Sequence, residues 1–200
     1  MFYSSGITDI PDLPATTLAK NCYERMFYFC NSLIDLSSHS LPATTLVEEC
    51  YTEMFYNCNR LTNAPNLPAT TLSPYCYQRM FKQCLSLISA PTLPATTLSI
   101  GCYEGMFNGC TKLQTAVLPA INLVGNCYKE MFSGCTLLNS VSAMFKSTPT
   151  NKYMINWLNN VAASGTFTKN ENATWSDSTT LIPDGWTITT TTPLYDEPLV

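Results

Sequence analysis

The sequence predicts an α/β solenoid of short parallel strands and short helices, closed by an irregular α+β C-terminal cap. Three observations carry that prediction. A hexapeptide recurs, as LPATTL at Leu13, Leu41, Leu67 and Leu93 and as LPAINL at Leu118. The starts lie 28, 26, 26 and 25 residues apart, a period typical of units that must stack because none can bury its apolar face alone. The ten cysteines fall into two columns: Cys22, Cys50, Cys76, Cys102 and Cys127 in one, and Cys30, Cys58, Cys84, Cys110 and Cys135 in the other, always eight residues later. Finally, each unit alternates between apolar residues at helical spacing and a short run bounded by proline, which reads as helix, strand and turn.

Taken in order, residues 1–12 hold the end of a preceding unit. Met1-Phe2 occupy the slot of Met26-Phe27, so the chain reads as beginning inside a repeat, as a fragment of a longer protein. Five full units follow from Leu13. In the third, Ser73 reads as an N-cap and Pro74 as the first helical residue. Cys76, Met80 and Cys84 then recur at helical spacing beside Tyr77 and Phe81, with Gln78, Arg79, Lys82 and Gln83 on the opposite face. Gly109 and Gly134 are expected to end their helices.

After the second cysteine, runs such as LTNAP, LISAP and LQTAV read as one strand per unit, which stack into a parallel sheet at about 4.8 Å per unit. The second unit has two extra residues within Ser37-Ser38-His39-Ser40, expected to bulge outward and carry the sole histidine. Past Val141 the period fails. Thr150 to Ala163 reads as an amphipathic helix stopped by Gly165. Thr166 to Lys169, the surroundings of Trp175, and Trp186 to Thr190 read as short strands, with Pro183-Asp184-Gly185 as a turn. The predicted organisation is a solenoid over residues 1–142, a capping segment over 143–190 and a flexible tail over 191–200.

Composition narrows the function. Ten Lys and Arg against 14 Asp and Glu give a formal charge of −4, with no basic run to follow a phosphate backbone, so nucleic acid is not an expected partner. No window approaches eighteen apolar residues, and the first twenty carry Asp9, Pro11, Asp12 and Pro14, so neither a membrane span nor a signal peptide is predicted. On a helix, eight residues separate the two cysteine columns by roughly 12 Å, beyond the roughly 7 Å reach of a disulfide. Buried thiols or bridges between neighbouring repeats remain as alternatives. CxxC pairs are absent, so no metal is predicted, and no cofactor either.

No hydrolase, metalloprotease or nucleotide-binding motif is present, and His39 has no cysteine or carboxylate at a motif spacing. Glu24, Glu53, Glu104 and Glu130 fall at polar helix positions, where solvated charge is expected. Tyr23, Tyr51, Tyr77, Tyr103 and Tyr128 fill one slot, as packing between repeats would require, although a stacking platform for sugars has the same signature. One slot of the predicted strands behaves differently from the core columns. Asp9, Asp35, Asn63, Ser89 and Thr115 vary in size and charge while remaining polar. They form the candidate binding row for a protein or glycan, the alternative being a rigid spacer that projects another domain.

The unit LPATTLxxxCYxxMFxxCxxL resembles the bacterial leucine-rich repeats of the BspA type over about residues 1–142. Trp157-Leu158, Gly165-Thr166-Phe167 and Pro183-Asp184-Gly185-Trp186-Thr187 are similar to that family's C-terminal segment. This chain carries cysteine where the commonest members have glycine, and MFxxC in place of AFxGC. The resemblance implies a curved leucine-rich-repeat solenoid, export to the cell surface or medium, and adhesive attachment to other proteins. It implies no catalytic residue.

Overall fold

The computed structural model describes residues 2–175 and 181–192. The expected flexible segment from Tyr195 to Val200 lies outside the described residues. Successive repeats stack as coils in sequence order. Their strand side is a parallel sheet ordered β1-β2-β3-β4, made of Thr115–Leu118, Ser140–Ala143, Gly165–Asn170 and Trp186–Thr191.

In the described N-terminal coils the strand side is reduced to isolated parallel bridges, Asp35 to Asn63, Ser40 to Asn66 and Thr45 to Thr71. Proline explains the difference. Pro65 and Pro91 follow the alanine of LTNAP and LISAP, and proline has no N–H to give to a ladder. Val117 and Ser142 stand in that slot in the next two coils, and there the ladder runs for four residues, Thr115 opposite Ser140 through Leu118 opposite Ala143. It continues from β2 to β3 to β4 with Val141 opposite Phe167 and Phe167 opposite Ile188, so the sheet passes unbroken beyond residue 142. Thr166 to Lys169 and Trp186 to Thr190 are strands as expected, whereas residues 171–175 are not; the residues that follow Trp175 lie outside the described ones.

Opposite the strands, the expected helices are absent. Asn151–Met154 (α1) is the only α-helix among the described residues, and it has four. In each repeat the CYxxMFxxC segment instead runs as overlapping β-turns. In the first unit the N–H groups of Cys22, Glu24, Met26, Tyr28 and Cys30 donate three residues back, to Ala19, Asn21, Tyr23, Arg25 and Phe27. The residues between them donate to the next coil: Tyr23 to Cys50, Arg25 to Thr52, Phe27 to Met54 and Phe29 to Tyr56, at 2.9–3.0 Å. Every second turn has a positive φ at its third residue, Asn21 at 58°, Arg25 at 54° and Phe29 at 60°, as a type II turn requires.

The pattern returns in each coil, through Glu53, Arg79, Gly105 and Glu130, and again at Asn156 and Asn160. The helix expected from Thr150 to Ala163 therefore stops at Met154 and becomes one more flight of turns. Gly109 and Gly134 adopt φ of +78° within the series rather than ending a helix. Ser73 caps nothing; its hydroxyl donates to the carbonyl of Leu46 in the preceding coil at 2.8 Å.

Half of the main-chain donors in this region thus bind coil to coil, and the side chains follow. Phe27, Phe55, Phe81, Phe107 and Phe132 stack at ring separations of 5.4–5.8 Å and are fully buried, as are Met54, Met80, Met106 and Met131. Tyr51, Tyr77, Tyr103 and Tyr128 form a second buried stack at 5.8–6.1 Å, and these rings are 1–2% exposed. They are packing, not a platform open to sugars. Both stacks end on Trp157, which lies 6.4 Å from Tyr128 and from Phe132. Trp157, Trp175 and Trp186 are buried, and their indole N–H groups donate to the carbonyls of Leu181, Phe145 and Ala162.

Candidate functional site

The candidate row lies on the outer face of the strand side, where alternate residues point away from the core. Asp9, Asp35, Ser89 and Thr115 are exposed and Asn63 is partly so. Asp35 bridges to Asn63, and the Asn63 amide donates to the Asp35 carboxylate at 3.1 Å. The N–H of Ser37, 2.8 Å from Asp35, with the Ser37 hydroxyl and Asn63, holds that carboxyl below its usual range. Flanking bonds from Ile88 N–H to Thr62 and from Gln114 N–H to Ile88 keep Ser89 in the series between Asn63 and Thr115.

Beyond Thr115 the row continues through Ser140, which fills the same slot of the repeat, and then through Thr166 and Thr187, which the repeat pattern did not reveal. Thr115 pairs with Ser140, Ser140 with Thr166, and Thr166 with Thr187. A second outward row runs beside it, Val117 opposite Ser142, Thr168 and Thr189, with the Thr168 and Thr189 hydroxyls 3.0 Å apart. Where the proline-interrupted coil meets β1, a cleft of about 300 Å3 opens, bounded by Pro91, Pro94, Thr115, Val117 and Pro119. Val117 is 65% exposed there. The alternation of TAVL marks it as outward-facing, and the prolines flanking β1 are the signal for the gap.

At the other end of the row, Asp9 accepts the Ile10 N–H at 2.9 Å and lies 3.2 Å from Nε2 of His39. The His39 Nδ1 in turn sits 3.2 Å from the Ser38 hydroxyl. Stacking has brought a carboxylate to the histidine that no spacing along the chain could show. Ser38 is exposed, and the group has the form of a tie between the bulge and the preceding coil.

The turn side carries charge of a different kind. Glu53 and Glu104, expected as solvated, are each 6% exposed. Glu53 accepts from Arg25 at 2.7 Å and Arg79 at 3.4 Å, and Glu104 from Lys129 at 3.1 Å. Glu53 is clamped from both neighbouring coils and Glu104 is held by the following one, which makes these pairs part of the stacking. All ten cysteines are free thiols, nine of them buried. Among the described residues no three His, Cys, Asp or Glu side chains are grouped to hold a metal ion, and no helix is long and apolar enough to cross a membrane.

The repeat geometry agrees with comparison against known families. The model of the BspA type leucine-rich repeat region matches in six copies, over residues 1–79 and 49–182. No curated protein and no solved structure matches the chain. The family match spans the coils and the segment after residue 142 alike, and the chain belongs to the BspA-type leucine-rich repeat family.

Proposed function

We propose that this chain is a non-catalytic interaction module of a cell-surface or secreted bacterial protein, holding a protein or glycan partner against its strand face. The observation that carries this reading is the outward polar row, which runs as a continuous series of small hydroxyl, amide and carboxylate groups beside the cleft at Thr115 and Val117. Core columns in this fold repeat one residue type, whereas this row changes its chemistry from coil to coil on a rigid frame. Such a surface offers donors and acceptors at a fixed pitch with little ordering cost on binding. Adhesion is the biological setting that the family relationship suggests.

The second reading, a rigid spacer that projects another domain, draws support from the unbroken aromatic stacks. The test is a triple substitution, Asn63→Lys, Ser89→Lys and Thr115→Lys. Exposed substitutions usually change stability by less than about 0.5 kcal/mol, so the thermal midpoint should stay nearly constant while capture of the partner in a pull-down is abolished. Undiminished capture by the triple variant would remove the row from the site, and failure of the wild-type chain to capture any partner would favour the spacer.

A further inference from the structure

Among the described residues, the flight of turns formed by residues 155–160 is the last in its column. Towards the preceding coil it behaves like every other, its Ile155, Trp157 and Asn159 carbonyls accepting from Glu130, Phe132 and Gly134 at 2.8–2.9 Å. Away from that coil it differs. In the coil before last but one, Gly105, Phe107 and Gly109 donate to Lys129, Met131 and Ser133 at 2.8–2.9 Å. The equivalent donors of the last flight, the N–H groups of Asn156, Leu158 and Asn160, meet no acceptor among the described residues.

These three residues line a cleft of about 290 Å3, walled on the far side by Leu181 and Pro183. Asn151 and Asn159 also face it, and none of the four asparagine carboxamides has a hydrogen-bond partner among the described residues. Among the described residues no charged side chain lines the cleft.

We propose that this cleft docks a neutral peptide segment, which lies across the last flight of turns as a further coil would. Alternate main-chain carbonyls of that segment accept from the N–H groups of Asn156, Leu158 and Asn160. The donor spacing argues for a peptide, because three N–H groups on alternate residues match carbonyls on alternate residues, and each coil-to-coil junction in this column uses that match. The lining argues for neutrality, since its described residues offer an ionic partner no counter-charge. A row of main-chain donors cannot satisfy the peptide's own N–H groups, and the asparagine carboxamides, which donate and accept, supply those acceptors. This is strand addition transposed to a ladder of turns.

Recognition through the main chain depends little on sequence, so a blocked, uncharged synthetic peptide copying residues 153–160 serves as the probe. Titrated into the 15N-labelled full chain, it should shift the amide signals of Asn156, Leu158 and Asn160 saturably and slow their hydrogen exchange at least tenfold. The double variant Asn156→Gly, Asn160→Gly removes two carboxamides while suiting the φ of 56° at both positions. It should keep the rest of the spectrum and bind at least fivefold more weakly. Absence of saturable shifts, or wild-type affinity in the double variant, would overturn the proposal. So would equal shifts produced by acetate or N-acetylchitotriose alone, which would assign the donors to an anion or a glycan. Slow exchange at the three amides before any peptide is added would show that the chain covers the cleft itself, with the same consequence.

Discussion

A thiol of the second cysteine column serves both packing and polar satisfaction. Cys58, Cys84, Cys110 and Cys135 are wholly buried, and each donates its S–H to a phenylalanine carbonyl one coil back, at 3.1–3.2 Å. A methyl group would fill the space without making that contact. Burial pushes the thiols of Cys50, Cys58, Cys102 and Cys135 up to about 12 and that of Cys127 to about 11. A thiol reagent added to the native protein should therefore modify Cys22, the exposed member, and spare the rest. After denaturation without reductant it should find all ten, and a count well below ten would mean bridges between coils.

The same shifts set the alkaline limit of stability. The folded state favours the protonated thiols, so their contribution is complete below the ordinary value of 9.0 and is lost as pH rises towards about 12. Each buried thiol that ionises only on unfolding steepens the decline by up to about 1.4 kcal/mol per pH unit. Urea midpoints should be level from pH 7 to 8.5 and fall steeply above 9; a level profile to pH 11 would contradict thiol burial. The unreactive, stacked character of these cysteines was legible in their two columns. Their acceptors were not, since each belongs to a different coil.

At the scale of the element, the sequence pattern led to a helix where the chain builds turns, and the reason is arithmetic. Cys, Tyr, Met, Phe and Cys at positions i, i+1, i+4, i+5 and i+8 fit a helix of 3.6 residues per turn. Over nine residues they fit a four-residue turn repeat equally well. What separates the two is the slot that needs positive φ, and about half of those positions are asparagine or glycine, the residues that enter the left-handed region most readily. Arg25, Glu53, Arg79 and Glu130 hide the signal because their charges read as a solvated helix face. They accept the conformation because main-chain bonds to the next coil fix it, and Glu53 is clamped besides by Arg25 and Arg79. The core assignment survives the change of element because both structures bury the same face. Phe81, stacked at 5.6 Å on Phe55 and 5.8 Å on Phe107, should cost roughly 3–5 kcal/mol when truncated to alanine. A loss below about 1 kcal/mol in denaturant unfolding would show that the column is not buried.

For the whole molecule, two ladders run the length of the stack and differ in what the sequence disclosed. The strand ladder was visible in outline, and Asp35, Asn63 and Thr115 stand where the repeat placed them. Its growth from single bridges to six-residue strands was hidden, because it depends on Val117 and Ser142 replacing proline, and because Thr166 and Thr187 join the row from beyond the last regular unit. The turn ladder was not visible at all, for it consists of main-chain bonds between residues about 26 positions apart. It accounts for the rigidity of the stack, since the coils up to residue 160 are tied to their neighbours on both sides of the core.

Scalar couplings across hydrogen bonds test that ladder directly. In 15N,13C-labelled protein, the amide nitrogens of Phe55, Phe81 and Phe107 should couple to the carbonyl carbons of Met80, Met106 and Met131 in the following coil, whose oxygens they meet at 2.9 Å. Couplings instead to Tyr51, Tyr77 and Tyr103, four residues back in the same coil, would mean that the segments are helices and that the turn ladder does not exist.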